Sequence, residues 1–472
     1  MAGSIIFCCM RCNLIIILAV CPILLSAQVS KITGTAPGAE GKRIQATKCM
    51  DLLTGLEKTL AQANIDSTGS FTLSLNTDKT IPVFLSIGFH RAELFVEPGK
   101  TYVLSIAPLN YNDTQELNPF VESQSLEITQ QGNKTDELNA LIQSFNKEYN
   151  DFVLANFNYL YRDKDRTRLD TFRGKIFRKF PDIKKAYFND YVKYKLASIE
   201  QVANVMGKSP MVKKYFSDSP ILYDNVEYMD FFKEFFSKYI TTTSRALKYV
   251  NFKELLEGTN SFPALMKALD ADTLLRKTQL RELVLLRGLM EMYDDPIFRQ
   301  ESILTAITAI SRDSKFEENR LIAGDLIQFL TRLRSGSAAP GFSLNDRYKK
   351  KVSLADFKGK PVLLGFWTTY CTSCLSEMEL LKPLNDKYHD RMNFVSISAD
   401  KEFLKMIYFL NLKKDFAWTF LHMGDETGLL QDYDVRAFPL FVLIDSQGRI
   451  VKYPADLPDS GLESSLERLL NP

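Results

Sequence analysis

Histidine, cysteine and charge of one sign are all in short supply. The 472 residues include three histidines, His90, His389 and His422, and seven cysteines. A structural zinc site draws four ligands, usually from a second cysteine pair or a histidine pair. Residues this scattered do not supply such a site, and no metal or cofactor is expected. Lys and Arg number 59 against 57 Asp and Glu, a net charge of +2. That balance gives no electrostatic footprint for a nucleic acid. The basic cluster from Arg162 to Lys185 is interrupted by Asp163, Asp165, Asp170 and Asp182, so it reads as a solvated helical face. Beyond the N-terminus no apolar stretch is long enough to cross a bilayer. Apolar and aromatic side chains are plentiful, at 45% and 12% of the chain. They suffice for sizeable cores, and the length suits roughly three domains.

Residues 1–27 read as an export signal. Arg11 precedes the apolar run Leu14 to Leu25, and Leu25-Ser26-Ala27 offers a small-residue cleavage site before Gln28. A start at Met10 would make the signal tidier. Leu18-Ala19-Val20-Cys21 loosely resembles a lipoprotein box. Val20 is too large for the place before a lipidated cysteine, however, and apolar residues continue past it, so a lipid anchor on Cys21 ranks second to plain cleavage. Cleavage removes Cys8, Cys9, Cys12 and Cys21 and leaves Cys49, Cys371 and Cys374. An exported chain stapled by disulfides would keep more. One close pair points to redox chemistry, and Cys49 reads as an inert small side chain.

Three further regions follow. Residues 28–115 carry short alternating runs, among them Phe71–Leu75, Val83–Ile87, Ala92–Val96 and Tyr102–Ile106, separated by turns at Asp66–Gly69 and Glu97–Gly99. This predicts a β-sandwich. Residues 116–335 carry helical periodicity, with a dense aromatic face at Phe231, Phe232, Phe235 and Phe236. This predicts an all-α domain of seven to nine helices, punctuated by Pro181, Pro210, Pro220, Pro263 and Pro296. The join Arg334 to Pro340 is small and flexible. In residues 336–472 strands alternate with helices and end in a hairpin and a last helix, which predicts a mixed α/β sheet covered on both faces.

The chemistry sits at Val362 to Met378. A short apolar run, Val362 to Trp367, reads as a buried strand, and helical spacing begins after Cys371-Thr-Ser-Cys374. A helix N-terminus offers unpaired N–H groups and the positive end of the dipole, and both favour a thiolate. Cys371 is therefore the expected attacking thiolate and Cys374, one turn in, the buried partner. A pair of packing cysteines is the bland alternative.

Ala339-Pro-Gly-Phe-Ser-Leu344, Phe357-Lys-Gly-Lys-Pro361, Phe366-Trp367, the cysteine pair, Glu377-Met378, Tyr433-Asp-Val435, Pro439 and Leu443 to Gly448 together resemble the TlpA/ResA-like thiol–disulfide oxidoreductases. These have a thioredoxin-like fold and work in the bacterial envelope. The resemblance covers about Ala338 to the C-terminus. More loosely, the whole chain is similar to multidomain members of the family from Bacteroidetes. The resemblance implies that Cys371 attacks a substrate disulfide and Cys374 resolves the mixed disulfide. It makes Pro439 a cis proline facing the pair, with Phe438 beside the substrate strand. It makes Glu377 the carboxyl that exchanges a proton with the buried thiol, and it sets Trp367 and Tyr370 at the substrate surface. It further implies a periplasmic or envelope location, substrates such as apocytochrome c or other envelope proteins, and a membrane thiol electron donor.

This sequence departs from the family pattern at four places. Tyr370 stands where tryptophan is usual, Thr372-Ser373 lacks the common proline, Leu375 replaces a frequent basic residue, and Glu379 stands where proline often follows. The loss of nearby positive charge leans toward a reductant. A peroxidase of the peroxiredoxin kind would keep Thr368 but needs proline at Leu364. The other readings are an envelope scaffold with secondary redox activity, and a disulfide oxidase or isomerase.

Overall fold

The alternating runs become strands because their apolar residues fall on one face at period two. Ser70–Thr77, for instance, buries Phe71, Leu73, Leu75 and Thr77 and exposes the residues between. The structure, a computed structural model, describes residues 28–108, 124–132, 136–244, 247, 251–258 and 261–471. The export signal, its alternative start at Met10, the Cys21 anchor and the boundary at residue 115 lie outside the described residues.

Among the described residues nine strands build the first unit: β1 (Gln28–Thr35), β2 (Arg43–Cys49), β3 (Glu57–Asn64), β4 (Ser70–Thr77), β5 (Ile81–Ile87), β6 (His90–Val96), β7 (Thr101–Ile106), β8 (Gln124–Ser125) and β9 (Ile128–Gln130). One sheet runs β4-β1-β7-β9 and the other β3-β2-β5-β6-β8, over a shared core that includes Ile32, Ile44, Phe71, Val83 and Leu104. Both last strands lie past residue 115, so the sheets extend further along the chain than the sequence boundary placed them.

The middle region holds ten α-helices among the described residues: α1 (Leu138–Tyr161), α2 (Arg166–Lys179), α3 (Ala186–Val202), α4 (Lys208–Val212), α5 (Val226–Phe235), α6 (Phe252–Glu257), α7 (Ser261–Asp270), α8 (Thr278–Met292), α9 (Gln300–Asp313) and α10 (Glu317–Thr331). Seven to nine were expected. Pro210 and Pro263 lie in the opening turns of α4 and α7 instead of between helices. Proline is tolerated there because the first-turn N–H groups have no partner within the helix. Phe231, Phe232, Phe235 and Phe236 pack into this core.

The last region carries β10 (Ser343–Asp346), β11 (Lys351–Ser353), β12 (Val362–Trp367), α11 (Thr372–Tyr388), β13 (Asn393–Ser398), α12 (Phe403–Leu412), β14 (Thr419–His422), α13 (Gly428–Asp432), β15 (Leu440–Ile444), β16 (Ile450–Lys452) and α14 (Leu462–Leu470). Its sheet runs β11-β10-β14-β13-β12-β15-β16. Strands β12, β13 and β14 are mutually parallel, with Trp367 level with Ser398 and Ser398 level with His422. Strand β15 is antiparallel to β12. All six residues of β12 are buried, as a central strand covered on both faces requires. No described helix is long and apolar enough to cross a membrane.

A carboxyl pair joins the first unit to the second. Asp51, just after β2, accepts the N–H groups of Leu53 and Thr54 at 2.8 Å each. Burial, then the neighbouring Asp51, push Asp325 on α10 up from 3.8 to about 6. A raised acid pKa in the folded state means the fold binds the extra proton, so stability falls as pH rises from about 4 to about 6 and the cost is complete above that. Asp325→Asn is expected to stabilise the protein at pH 7.5, by no more than about 1 kcal/mol because solvent screens this half-exposed pair, and by less at pH 5. Thermal melts at the two pH values check this, and an equal gain at both would contradict it.

Candidate active site

Strand β12 delivers the cysteine pair to the edge where the three parallel strands end. Gly365 lets β15 come close: a Cβ there would lie 2.7 Å from the Phe441 ring. Beyond Trp367 the chain turns, and Cys371 caps α11. The Cys374 N–H donates to Cys371 Sγ at 3.1 Å, so one orphan donor of the helix start points at the sulfur. The two cysteines are joined as a disulfide with Cα atoms 5.2 Å apart. Cys371 is half-buried, while Cys374 is 0% exposed. Of the two sulfurs, the first is the one a partner can reach. Ser373 Oγ lies 3.3 Å from Cys371 Sγ, a hydroxyl within reach of a thiolate at that position.

Pro439 directly precedes β15, and the Phe438–Pro439 peptide is cis. Leu440 pairs with Phe366, so the proline faces the loop that carries Cys371. Phe438 is half-buried, as is Tyr370. Glu377 lies one turn beyond Cys374 and is 7% exposed. It accepts the Asp459 N–H at 3.2 Å. Burial holds its carboxyl above the usual range, and the Asp459 charge adds to this against that hydrogen bond.

Trp367 does not line the surface. It is 2% exposed, with its ring 5.0 Å from Phe409 and 5.8 Å from Phe420. The cause is its place in β12, where every side chain is enclosed. It forms the floor beneath the pair.

Asp400 was missed by the sequence reading. It is 1% exposed and stands two residues past β13. Its carboxylate accepts the Thr369 N–H at 3.1 Å, the Thr369 hydroxyl at 2.7 Å and the Ser398 hydroxyl at 2.6 Å. His422 Nε2 donates to the Asp400 carbonyl at 2.9 Å. Burial lowers the His422 pKa, so the ring is neutral at pH 7. Asp400 thus ties the ends of β13 and β14 to the residue two before Cys371. A carboxylate just past the end of a central apolar strand was the available signal.

Cys49 stands apart. Burial and then Glu57 hold its thiol up to about 11, which leaves it unreactive at neutral pH. Among the described residues no group of His, Cys, Asp and Glu is placed to hold a metal ion.

A reachable sulfur at a helix start, a buried partner three residues on and a facing cis proline define a thiol–disulfide oxidoreductase of the thioredoxin-like fold. Comparison with known proteins agrees. The Redoxin family model matches residues 334–470. Thioredoxin-like protein YneN of Bacillus subtilis is 35% identical over 121 residues, 25% of this chain and 69% of that protein. Thiol-disulfide oxidoreductase ResA of Bacillus thuringiensis is 32% identical over 123 residues, 26% of this chain and 69% of that protein. The thioredoxin domain of a Bacteroides vulgatus thiol-disulfide oxidoreductase is 28% identical, covering 29% of this chain and 99% of that one, with a TM-score of 0.27. The chain belongs to the ResA-like thiol–disulfide oxidoreductases, through its C-terminal region.

Asp400→Asn keeps the side chain's shape and removes a buried negative charge from beside the Cys371 loop. It is expected to lower the Cys371 thiol pKa and to raise the reduction potential by about 30 mV, a tenfold shift in a two-electron equilibrium. Glutathione equilibration and the pH dependence of alkylation read both. An unchanged potential would show that the charge does not reach the sulfur.

Proposed function

We propose that this oxidoreductase is exported and reduces disulfides of envelope proteins. The observation that carries the direction is the buried Asp400 carboxylate on Thr369, two residues before Cys371; a negative charge there would oppose the thiolate that the helix start favours. The absence of a basic residue at Leu375 points the same way. A weakly stabilised thiolate makes a reductant.

In the reaction, the Cys371 thiolate attacks one sulfur of the substrate disulfide and forms a mixed disulfide, and the other substrate sulfur leaves as a thiolate that takes a proton from water. The buried Cys374 loses its proton to Glu377 and attacks Cys371 Sγ. The second substrate thiol then departs, and the Cys371–Cys374 disulfide remains. Two electrons have passed to the substrate, and a membrane thiol carrier would return them. Pro439 and Phe438 would hold the substrate segment against the pair, with Tyr370 on the other side of the cysteine. Apocytochrome c fits this substrate class, as do other envelope proteins with accessible disulfides.

The direction is tested by the potential of the pair, measured in a Cys49→Ala background. A value near thioredoxin's, about −270 mV, supports a reductase, and one near about −120 mV turns the reading to an oxidase. If no disulfide forms between the two cysteines, the scaffold reading takes over. A second experiment addresses Glu377. Acting as a base with a raised pKa, it makes turnover rise with pH above the ordinary carboxyl range. Glu377→Gln should cost about 10²-fold in kcat and flatten that limb; an unaltered pH profile would remove Glu377 from the mechanism.

A further inference from the structure

Glu377 meets a short 3-10 turn, Pro458–Ser460, which lies between β16 and α14 and packs on α11. Pro458 has no N–H, so Asp459 brings the first free backbone donor of that turn. The donor goes to Glu377 Oε2 at 3.2 Å. The Asp459 side chain returns to the same place: the two carboxyls lie within hydrogen-bonding reach of each other, and the Asp459 charge acts on Glu377. Two ionised carboxylates only accept, so a bond between them calls for one shared proton. The pair also joins the inside of the protein to the outside. Cys374 is 0% exposed and Glu377, one helical turn on, is 7% exposed, whereas Asp459 is open to solvent. The other charges on these elements are engaged elsewhere. Glu379 meets Lys413 at 2.6 Å and Lys382 at 3.2 Å, Lys387 meets Glu463 at 2.6 Å, and Asp456 meets Lys452 at 2.6 Å. Among the described residues Asp459 is the charged group that acts on Glu377.

We infer that Asp459 is a positioning residue for the resolving step: its backbone holds the Glu377 carboxyl, and its own carboxyl passes to water the proton that Glu377 collects. This rests on the reading of Glu377 as the base for Cys374 and gives that base an outlet. The Cys374 proton goes to Glu377 and leaves a thiolate, whose electron pair forms the bond to Cys371 Sγ. The bond from Cys371 to the substrate breaks, and its electron pair leaves on the substrate sulfur. The proton on Glu377 is then shared with Asp459 and released from its exposed oxygen, which leaves both carboxyls ionised again. Repulsion between two carboxylates makes the first proton more strongly held, which suits a base that must take its proton from a thiol.

The test uses the full chain, reduced and carrying Cys49→Ala, mixed with dithiobis(nitrobenzoate) in a stopped flow. Attack by Cys371 releases one coloured thiolate. Attack by Cys374 on the mixed disulfide releases the second, so the second phase reads the resolving step alone. In Asp459→Asn and in Asp459→Ala the acid limb of that phase is expected to move to lower pH. Its plateau should fall about three- to tenfold, part of the about 10²-fold that a general base contributes, with the first phase unchanged. The carbon-13 titration of the Glu377 carboxyl in the oxidised protein, a readout independent of turnover, should also move to lower pH. A second phase that slows equally at every pH, or a Glu377 titration that stays in place, overturns the proposal. Glu377→Gln separates this result from the reading beneath it. If that variant flattens the limb while the Asp459 variants leave it in place, Glu377 stands as the base and the role of Asp459 falls. If Glu377→Gln leaves the second phase unaltered, Glu377 is not the base and both fall.

Discussion

The structure depends on where β12 stops. A sulfur that must be reached from outside and also close a bond with a buried neighbour has little freedom. Both demands are met only if the strand ends at a fixed height and the helix starts at a fixed angle. Pairing on both sides sets the height, with Trp367 level with Ser398 on one flank and Phe366 level with Leu440 on the other. The enclosed Trp367 ring clamps the end of the strand from below. Asp400 then holds the next turn by its N–H and its hydroxyl. A strand held by backbone pairing, ring packing and a buried carboxylate cannot slide by one residue without losing all three.

The same arrangement sets two opposing electrostatic effects on Cys371. The helix start brings an N–H to 3.1 Å from the sulfur and favours charge there. The Asp400 carboxylate is tied to the turn two residues before it, and a negative charge near the sulfur would act against the thiolate. How far the thiolate is preferred sets the potential of such a pair. Glu377 follows different logic. It sits deeper along the helix, where burial raises its carboxyl toward the range in which it can trade a proton with a thiol.

Legibility in the sequence followed the range of the interaction. The Cys371–Cys374 spacing, the apolar run before it and the helical period after it are local, and all could be read directly. Periodicity gave the sandwich strands and the helical middle for the same reason. Asp400 could not be weighed, because its meaning comes from a partner 31 residues away in the chain. Trp367 was misplaced because a motif says which residues are neighbours in sequence, not which face a central strand presents to solvent. Pro210 and Pro263 read as breaks in the sequence because proline stops helices in general; its harmlessness in the first turn depends on where the helix begins.

The sandwich bears on the catalytic edge through its position. It reaches the loop after β14 by Arg43 to Glu426 at 2.6 Å, Lys42 to Asp425 at 3.5 Å, and the Thr427 hydroxyl donating to the Gly88 carbonyl at 3.1 Å. Ion pairs this exposed contribute little each, about 0–1 kcal/mol. The firmer attachment is Phe89, which packs with the core cluster on the face of the sheet opposite α12. The sandwich therefore occupies the β14 side and the far face and leaves α12 bare. A docked protein typically covers about 800 Å² on each partner, a patch of radius about 16 Å. Strands sit about 4.8 Å apart, so a patch centred on Cys371 extends past the end of β14 and meets the sandwich there. The accessory domain thus bounds the surface around the cysteine pair on the β14 side.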